Sequence, residues 1–557
     1  MTTVSLPMDE WKAIPWSKIE RAVFKLQKRI YRASQRNDVK AVHRLQKLLI
    51  KSRSAKCLAV RRVTQDNQGK KTAGIDGVKS LTPIQRVEMV KKLELRERAA
   101  PVRRVWIPKP GKNELRGLGI PTLQDRALQT LVKLGMEPEW EARFEANSYG
   151  FRPGRSAWDA MAAIYNGIIF KPKWVLDTDI EKCYDRIDHT ALLKKIDPSP
   201  LIRRQLRAWL KAGVLDQDRL YPTEEGVPQG GTISCLLANI ALHGMEEAVG
   251  KLVENRRKRP ILIRYADDLL VMHPDREIVE KSQEVLTEWL APMGLQLKPS
   301  KTRLTHTLNK GDDAPGFDFL GFNIRQYPVG KTKTGSNPKG RPLGFKTIIK
   351  PSKESIKRHV RDLRSHVKNQ IAGKQASLIR ELNPVIRGWT RYYSTVCSSD
   401  TFSKLSHILF QQLRSWARRR HPRKGMKWVV RKYWRVDEGK GWIFQPRDSG
   451  ARLCRHLDIP IERHVKVQGT RSPYNGDWIY WSKRLGRMPG VKKRVATLLK
   501  RQRGRCQWCG LLFRWDDLME IDHIIPRKLG GKEAYYNMQL IHRHCHDIKT
   551  KSDPDEW

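Results

Sequence analysis

The sequence lacks several features that mark common classes of protein. No apolar run approaches the ~20 residues that a membrane-spanning helix needs, so we expect no spanning segment. The first residues, MTTVSLPMDEW, show no basic segment followed by an apolar stretch, and we expect no secretion signal. Cysteines number only eight in 557 residues. Three of them, Cys506, Cys509 and Cys545, cluster where they suit a metal better than disulfides, which indicates a reducing compartment.

Acidic residues are also scarce relative to basic ones. Lys and Arg total 109 and Asp and Glu total 58, so the formal net charge is +51. A compact protein with that charge repels itself unless a polyanion is present. Nucleic acid is therefore the expected partner. A merely soluble basic protein and a protein of anionic membrane surfaces are the alternatives.

The apolar pattern changes along the chain. The first region predicts basic helices, the first of them opened by a capping box of Ser17 and Glu20. The next region alternates short apolar strands with helices, which predicts an α+β body. Its predicted strands include 102–107, 174–178 and 261–265. The Gly-, Pro- and Lys-rich segment 327–346 predicts a domain boundary or a mobile loop.

The later part of the chain is helical and then irregular. Three helical stripes predict a small bundle, whose second helix is expected to open at Asn383 and Pro384. From 351 to 440 there are 22 Lys and Arg against 6 Asp and Glu, which favours a nucleic-acid surface over a plain structural module. The motif SPYNGDWIYW suits stacking on bases and equally suits a small core. Five domains are predicted along the chain. They are a basic helical N-terminal extension (1–70), an α+β body (71–330), a basic helical domain (331–435), a DNA-binding region (436–503) and a C-terminal Cys/His module (504–557).

The strongest motif is YADD at 265–268, with an apolar run on either side. Adjacent acids in that setting predict a hairpin tip whose repulsion needs a cation, although a lone YADD is an ordinary acidic turn about as often. Asp179 ends an apolar strand and can bring a third carboxylate, with the backbone carbonyl of Ile180 as a further ligand. Asp179, Asp267 and Asp268 are therefore candidate ligands of two divalent ions for transfer of a phosphoryl group to a 3′-hydroxyl.

Four further residues are candidates for contacts with an incoming nucleotide. Tyr184 lies five residues after the strand-end aspartate, where its ring could sit beneath the sugar and exclude a 2′-hydroxyl; an ordinary core tyrosine is the alternative. Gln229 belongs to the turn PQGG, whose glycines let the backbone approach a template or nucleotide closely. Lys109 and Arg116 stand seven residues apart across a predicted turn and could clamp a triphosphate.

Near the C-terminus, cysteine and histidine recur in pairs. Cys506 and Cys509 have the spacing of a two-ligand knuckle, and His542 and Cys545 offer a second pair 33 residues after Cys509. Two such pairs predict a tetrahedral Zn²⁺ site, which can stabilise a domain too small to bury much core. His544 competes with His542 for the fourth position.

In order and spacing, these motifs closely resemble the reverse transcriptases encoded by bacterial group II introns. The matching stretches are GIDG (74–77), IPKPGKNELRGLGIPTLQDR (107–126), SYGFRPGRSAWDA (148–160), DTDIEKCYDRIDH (177–189), GVPQGGTISCLLANI (226–240), YADD (265–268), GLQLKPSKT (294–302) and FDFLGFNI (317–324). The resemblance implies right-hand polymerase fingers and palm, followed by an α-helical thumb that is also the RNA-binding maturase domain. Tyr184 stands where many members have Phe, and Cys235 stands where Pro is common.

The C-terminal module resembles the HNH nuclease family. The matching residues are EIDHIIP (520–526), Gly530, Gly531, Asn537 and His546. The resemblance implies a two-stranded ribbon and a helix around one metal, with His523 as the general base that activates water. It also implies that Asp522 and His546 hold a catalytic Mg²⁺ or similar ion, and that Asn537 holds the loop that orients His523. A zinc module that binds DNA without cutting it is the alternative.

Together, the two resemblances imply a multifunctional protein: reverse transcriptase, RNA maturase and DNA endonuclease. It would act as a ribonucleoprotein with group II intron RNA on a target DNA duplex, in the bacterial cytoplasm and at the nucleoid during integration. It would use dNTPs, two Mg²⁺ at the polymerase site, one metal ion at the nuclease site and a structural Zn²⁺, with no membrane partner. The intron RNA would insert into one DNA strand, the nuclease would nick the other, and the polymerase would extend the new 3′-hydroxyl.

Two rival interpretations remain at this level. A non-catalytic RNA chaperone could use the same basic surfaces for splicing alone, but it has no reason to keep three metal carboxylates. A retron or diversity-generating polymerase shares the polymerase motifs. Those proteins are generally shorter and lack a long basic thumb joined to an HNH module.

Overall fold

The N-terminal part of the protein is helical, as the apolar spacing predicts. The computed structural model describes residues 10–552 apart from 12, 68, 70–71, 109–113, 311–313, 438–440 and 516. Its first helices are α1 (Trp16–Gln35), α2 (Val39–Lys51), α3 (Arg53–Arg61) and α4 (Pro83–Lys92). Apolar residues of α1, α2 and α3 share a core with the following α/β region, so these helices are built into the body of the protein.

The predicted capping box at the start of α1 is wrong. The helix begins at Trp16, and the residue before it makes no side-chain capping bond. Ser17 therefore already lies inside the first turn. The Glu20 carboxylate is buried and accepts hydrogen bonds from Arg61 and Arg514, each at 3.1 Å. A capping box is a local pattern, and here distant partners hold the same carboxylate.

Strands and helices alternate in the middle of the chain, which confirms the α+β prediction. The strands are β1 (Val102–Pro108), β2 (Leu115–Ile120), β3 (Trp174–Asp179), β4 (Val214–Asp216), β5 (Arg219–Tyr221), β6 (Ile261–Tyr265), β7 (Asp268–His273) and β8 (Arg303–His306). They form two sheets, in the orders β2-β1-β4-β5 and β6-β7-β3-β8. The helices are α5 (Leu123–Glu141), α6 (Ala157–Ile168), α7 (Cys183–Arg186), α8 (His189–Ile196), α9 (Pro200–Leu210), α10 (Ser234–Ala241), α11 (Met245–Gly250) and α12 (Arg276–Leu290).

The sheet β6-β7-β3-β8 lies between two helical layers. On β7, Leu269 and Val271 belong to the apolar cluster that includes α12, whereas Leu270 and Met272 belong to the cluster that includes α6. Successive side chains of a strand point to opposite faces of its sheet. Both faces are therefore covered, and the sheet is a firm support for residues at the ends of its strands.

A third sheet crosses the segment that the sequence marks as a boundary or a mobile loop. It consists of the antiparallel strands β9 (Phe317–Phe319), β10 (Phe322–Pro328) and β11 (Phe345–Pro351). Residues 329–344 thus connect two paired strands, and the predicted boundary at 330/331 falls inside a hairpin. Gly, Pro and Lys favour a turn, but only the pairing partners decide whether it joins strands or domains.

Three long helices follow, as predicted: α13 (Lys353–Asn369), α14 (Gln375–Tyr393) and α15 (Ser399–Arg420). The expected helix start at Asn383 and Pro384 is wrong, because α14 runs through both residues. The Asn383 side chain instead binds the backbone of Arg452 and Cys454, at 2.9 and 2.7 Å. The shared core of the bundle offsets the backbone hydrogen bond that proline cannot donate.

The remaining elements form the C-terminal part. They are α16 (Met426–Tyr433), β12 (Trp434–Asp437), β13 (Gly441–Phe444), α17 (Trp478–Leu485), α18 (Lys493–Arg501), β14 (Met519–His523), β15 (Met538–His542) and α19 (Arg543–Ser552). Strands β14 and β15 pair antiparallel and precede α19, which confirms the expected ribbon and helix. The predicted boundary at 435/436 falls inside the hairpin of β12 and β13.

The motif SPYNGDWIYW contributes to a core. Tyr474 and Trp481 are 6% and 2% exposed. The Tyr474 hydroxyl donates to Glu137 at 2.6 Å, and a Cβ at Gly154 would lie 2.5 Å from the Trp481 ring. These two rings are therefore packed against the α/β body and are not free to stack on bases. None of the helices in the described ranges has the length and apolar character of a membrane span.

Candidate active sites

The YADD motif forms the tip of a tight hairpin, as predicted. Tyr265 pairs with Asp268 across β6 and β7, so only two residues turn the chain, and Ala266 takes a positive φ of 58°. A Cβ at Gly150 would lie 2.4 Å from the Ala266 nitrogen, which explains the glycine of the SYGF stretch. The buried Arg264 guanidinium donates to the Ala266 carbonyl at 3.3 Å. The contacts with Gly150 and Arg264 thus fix the backbone of the hairpin tip.

The three predicted carboxylates converge at this tip. Asp179, the last residue of β3, lies directly opposite Asp268 in the strand register. The backbone N–H of Ile180 donates to the Asp267 carbonyl at 3.4 Å, which joins the end of β3 to the hairpin. The role of the Ile180 carbonyl as a ligand stays a prediction.

The electrostatics of the cluster favour a cation. Burial and then the Asp179 charge raise the pKa of Asp267. Burial, followed by the charges of Asp267 and Asp179, raises the pKa of Asp268 to about 7. One carboxylate oxygen of Asp179, Oδ1, is buried without a hydrogen-bond partner among the described residues. A set of crowded carboxylate oxygens with an unpaired acceptor fits a hard divalent cation such as Mg²⁺.

Lys301 is a site residue that the sequence analysis missed. Its ammonium forms an ion pair with Asp179, and the charges of all three aspartates favour its protonated form, so its pKa is raised although burial opposes the shift. The signal was present, because Lys301 lies in the stretch GLQLKPSKT that follows the YADD hairpin. No spacing rule, however, connects a lysine there to Asp179.

A cavity of about 1060 Å³ opens beside the carboxylates. Its lining includes Asp179 and Asp268, together with Lys353 of α13 and Lys404 of α15. The cavity thus lies between the sheet β6-β7-β3-β8 and the basic helical bundle. An extended polyanion placed there would meet the acidic centre and the cationic helices together.

Two of the predicted nucleotide contacts lie along β2. Arg116 pairs with Ile107 across the β1–β2 hairpin, is exposed, and is close enough to Asp267 for its charge to lower the pKa of that carboxyl. The carbonyl of Gln229 accepts a hydrogen bond from Gly119 of β2 at 2.6 Å. Lys109 lies outside the described residues.

The PQGG turn needs its glycine. Gly230 has a φ of 123°, and a Cβ there would lie 2.6 Å from the Gly119 carbonyl oxygen. The turn therefore packs backbone against backbone on β2, and its approach to a template or nucleotide stays a prediction.

Tyr184 lies at the edge of the carboxylate cluster. Burial, then the Cys235 thiol, with which the hydroxyl forms a hydrogen bond, and then Asp267 raise the pKa of Tyr184. Its ring packs against the main apolar core but is not fully buried. The structure thus brings Tyr184 near Asp267 and ties its hydroxyl to Cys235.

The predicted zinc ligands come together. The ligand atoms of Cys506, Cys509, His542 and Cys545 all lie within 4.8 Å of one another. Nδ1 of His542 is 3.4 Å from the Cys509 sulfur and 3.9 Å from the Cys545 sulfur. Its Nε2 is 3.1 Å from a carboxylate oxygen of Asp517, the arrangement that commonly orients a metal-bound histidine. Three thiols and one imidazole fit Zn²⁺.

His544 has other contacts. Its ring stacks on His542 with centroids 5.0 Å apart. Its Nδ1 lies 3.3 Å from the Arg61 guanidinium and 3.7 Å from Glu20. Of the two candidates for the fourth position, the geometry therefore favours His542.

The predicted nuclease residues also lie together. Nε2 of His546 is 3.5 Å from Asp522, and its Nδ1 is 2.7 Å from Glu520. The Asn537 side chain accepts from the Ile525 N–H at 2.8 Å and donates to the Ile525 carbonyl at 3.0 Å. It thus fixes the loop that follows the last residue of β14, where the predicted base stands.

Lys549 is a second residue that the sequence analysis missed. Its ammonium donates to Asp522 at 2.8 Å and to the carbonyl of His523 at 2.5 Å. It lies three residues after His546 on α19, so helical spacing places both side chains near Asp522. The acidic oxygens of this site, with one imidazole, suit a divalent cation.

Four protein-family models match the chain. The N-terminal domain of reverse transcriptase matches residues 11–93, and the reverse transcriptase (RNA-dependent DNA polymerase) model matches residues 107–324. The group II intron, maturase-specific domain matches residues 354–434, and the HNH endonuclease model matches residues 506–552. The matches follow one another in the order that the motifs predict.

Known proteins are similar over long stretches. Group II intron-encoded protein LtrA of Lactococcus lactis subsp. cremoris is 27% identical over 392 residues; the match covers 56% of this chain and 63% of LtrA, so less than two thirds of that relative is spanned. Protein YkfC of Escherichia coli (strain K12) is 32% identical over 306 residues, covering 47% of this chain and 78% of YkfC. A solved telomerase from Candida albicans is 15% identical with a TM-score of 0.33, covering 61% of this chain and 65% of that chain.

Proposed function

Because the chain belongs to the family of reverse transcriptases encoded by group II introns, we propose that it copies intron RNA into DNA at Asp179, Asp267 and Asp268. The observation that carries this proposal is the register of the catalytic sheet, which sets Asp179 opposite Asp268 at the hairpin tip. Two Mg²⁺ ions bound there would activate the primer 3′-hydroxyl and stabilise the leaving pyrophosphate.

The residues around the tip have roles that their positions support. Arg116, near Asp267, would bind the triphosphate together with Lys109. Tyr184 would lie beneath the sugar and exclude a 2′-hydroxyl, with its hydroxyl held by Cys235. The backbone at Gln229 would contact the template or the nucleotide. Lys301 would hold Asp179 in place and balance its charge.

We assign RNA binding and assistance in splicing to the basic helices. Lys353 and Lys404 face the cavity beside the carboxylates, and Arg418 and Arg419 are exposed at the end of α15. An excess of exposed cations on rigid helices suits the phosphates of a folded RNA. The partner would be the intron RNA that encodes this chain.

The C-terminal module supports a second activity, nicking of target DNA. His523 would take the proton from the attacking water; it follows Asp522 in the chain, and Lys549 donates to both Asp522 and the His523 carbonyl. Asp522 and His546 would hold the nuclease metal, which would polarise the scissile phosphate. Asn537 would keep the His523 loop in place. Cys506, Cys509, His542 and Cys545 would bind the structural Zn²⁺.

The resulting scheme is target-primed reverse transcription by a ribonucleoprotein. The intron RNA inserts into one strand of the DNA duplex, the nuclease nicks the other, and the polymerase extends the new 3′-hydroxyl with dNTPs. We place this reaction in the bacterial cytoplasm, at the nucleoid during integration, since it needs access to chromosomal DNA.

The test of the polymerase assignment is Asp267→Asn, which removes one charge and keeps the side-chain size. Primer extension on an RNA template in Mg²⁺ should fall by about a hundredfold or more, because several kcal/mol of transition-state stabilisation are lost. Asp218→Asn, an exposed aspartate on the β4–β5 turn, is the matched control and should extend normally. Normal extension by Asp267→Asn would remove the catalytic role of this site.

A further inference from the structure

One face of α1 contacts the C-terminal part of the chain. Glu20, Phe24 and Lys28 follow one another at four-residue spacing, so they lie on the same side of the helix. Glu20 contacts Arg514 of the C-terminal Cys/His module. Phe24 contacts Trp478, the first residue of α17, and Lys28 lies beside Gly476, two residues before that helix. The N-terminal helix therefore meets both C-terminal elements through one stripe.

The Glu20 contact is a buried ion network. Glu20 is 5% exposed and accepts from Arg61 of α3 and from Arg514 of the zinc module, each at 3.1 Å. Side chains of Arg61 and Arg514 are 10% and 12% exposed. Removal of one partner from such a network leaves the remaining buried charges less well compensated, which is costly where water has little access.

Packing contacts extend the stripe. The Phe24 and Trp478 rings are 4.3 Å apart, and the Arg514 guanidinium lies over Phe24 at 5.6 Å. A Cβ at Gly476 would lie 2.5 Å from the Lys28 ammonium. Gly476 has a φ of 84°, which glycine adopts without strain, so the chain turns here beside the Lys28 side chain.

His544 connects this ion network to the candidate zinc ligands. His544 lies between the zinc candidates His542 and Cys545 in sequence, stacks on the His542 ring, and has Nδ1 3.3 Å from Arg61. It is 6% exposed. The contact of α1 is therefore with the metal-binding end of the module, which also begins the helix that carries His546.

We propose that α1 is the site on the polymerase body where the nuclease module docks. The Glu20 network positions β14, β15 and α19 against the polymerase body, and nicking of DNA requires that position, whereas zinc binding and primer extension do not. Glu20 is on this account a positioning residue for a reaction whose chemistry occurs 502 residues further along the chain, at Asp522. The activity readout rests on the proposed nuclease function; the docking itself does not.

The experiment uses the full chain with Glu20→Gln, Arg514→Gln and the double variant. The exposed Glu88→Gln on α4 is the matched control. Zinc per chain, primer extension with a supplied primer, and hydrogen exchange at 512–550 are measured on each. Nicking is measured with ribonucleoprotein on a labelled duplex that spans the intron insertion site.

We expect each single variant to keep its zinc and its primer extension within twofold, to exchange at least tenfold faster across β14 and β15, and to nick at least tenfold more slowly. The double variant should be no worse than either single one, because both charges are removed together. Phe24→Ala, which leaves the ions in place, should give the same pattern with a smaller amplitude.

Unchanged exchange in Glu20→Gln would overturn the proposal, and so would loss of zinc, which would make Glu20 a support of the metal site instead. If exchange rises but nicking does not fall, the module docks on α1 but nicking does not depend on that contact, which also overturns the proposal. Wild-type particles that do not nick at all would refute the nuclease function, and the exchange data would then decide the docking alone.

Discussion

The proposed polymerase site and the C-terminal module each carry two acidic residues on an antiparallel hairpin, but the two hairpins have different support. Residues 269–272 of β7 are buried on both faces of a four-stranded sheet. In the C-terminal module, β14 pairs with β15 alone, and all five of its residues are partly exposed. Its small apolar cluster includes Cys506 and Cys545. We infer that metal binding supplies only chemistry in the first region, and both chemistry and stability in the second.

The largest contrast should come from removing one ligand in each region. Cys506→Ala should release zinc and unfold residues 504–552, because a structural Zn²⁺ contributes on the order of 10 kcal/mol to a small domain. Asp267→Asn should leave the melting temperature of the α/β body unchanged or higher, since it relieves carboxylate repulsion. Zinc content, calorimetry and hydrogen exchange measure both effects.

The exposed Cys397→Ala is the control for this pair and should keep its zinc. If Cys506→Ala retains a folded module, the apolar cluster alone supports it and the two regions are not different in kind.

Within the C-terminal module, chemistry and stability should be separable. His523→Ala removes the proposed base and no zinc ligand, so the module should keep its zinc and its hydrogen-exchange protection. Nicking should fall by about 10²- to 10⁴-fold, the usual contribution of a general base. The assay is a labelled duplex read on a denaturing gel. Continued cleavage by His523→Ala would reduce the module to a DNA-binding zinc domain.

In the helical bundle, neighbouring arginines of α15 should also differ in role, since two of them can bind RNA and the third stabilises the fold. Arg418 and Arg419 are exposed, whereas Arg420 donates to the carbonyls of Ile371 and Gly373 at 2.5 and 2.9 Å. Charge reversal at Arg418 and Arg419 should weaken binding of intron RNA by about tenfold and reduce the salt slope by about 2. It should also impair protein-assisted splicing.

Charge reversal at Arg420 should instead lower the melting temperature, because its carbonyl partners lose their donor. RNA affinity measured over a salt series and thermal melts separate the two outcomes. An affinity that does not change with salt in the wild type would place the RNA elsewhere.

The last prediction concerns two buried histidines that are not among the candidate metal ligands. Nε2 of His359 and Nε2 of His456 are 2.9 Å apart. Burial, followed by the charge of His456, lowers the pKa of His359 to about 3, and burial lowers that of His456 to about 4. Both rings are thus neutral in the folded bundle, while the unfolded chain binds protons below a pKa of about 6.5.

Stability should therefore be complete above pH 6.5 and fall by roughly 1.4 kcal/mol per pH unit for each histidine as the pH drops toward 4. His359→Phe keeps a ring against Trp389, which now stacks on His359 at 4.5 Å, and should halve this acid sensitivity. Denaturant melts of the zinc-loaded protein between pH 7 and 5 measure it. An equal slope in the variant would show that other groups titrate.

Local patterns were sufficient to predict the elements that carry chemistry. The strand at 261–265 was predicted with its observed bounds, and those at 102–107 and 174–178 each proved one residue longer. The spacing of Cys506, Cys509 and Cys545 also predicted their convergence. Strand alternation and the spacing within each cysteine pair are short-range properties of a chain, so a sequence displays them directly.

Other features were decided only by contacts between distant parts of the chain. Glu20 and Arg514 are 494 residues apart, and Lys301 and Asp179 are 122 apart. The choice of His542 over His544 as the fourth zinc candidate depended on where Arg61 and Asp517 lie. The sequence alone thus determined which residues are candidates for binding metal, and the strands beside the three candidate aspartates. Tertiary structure decided which charges neutralise one another, because the partner of a buried charge is set by how the elements dock and not by local spacing.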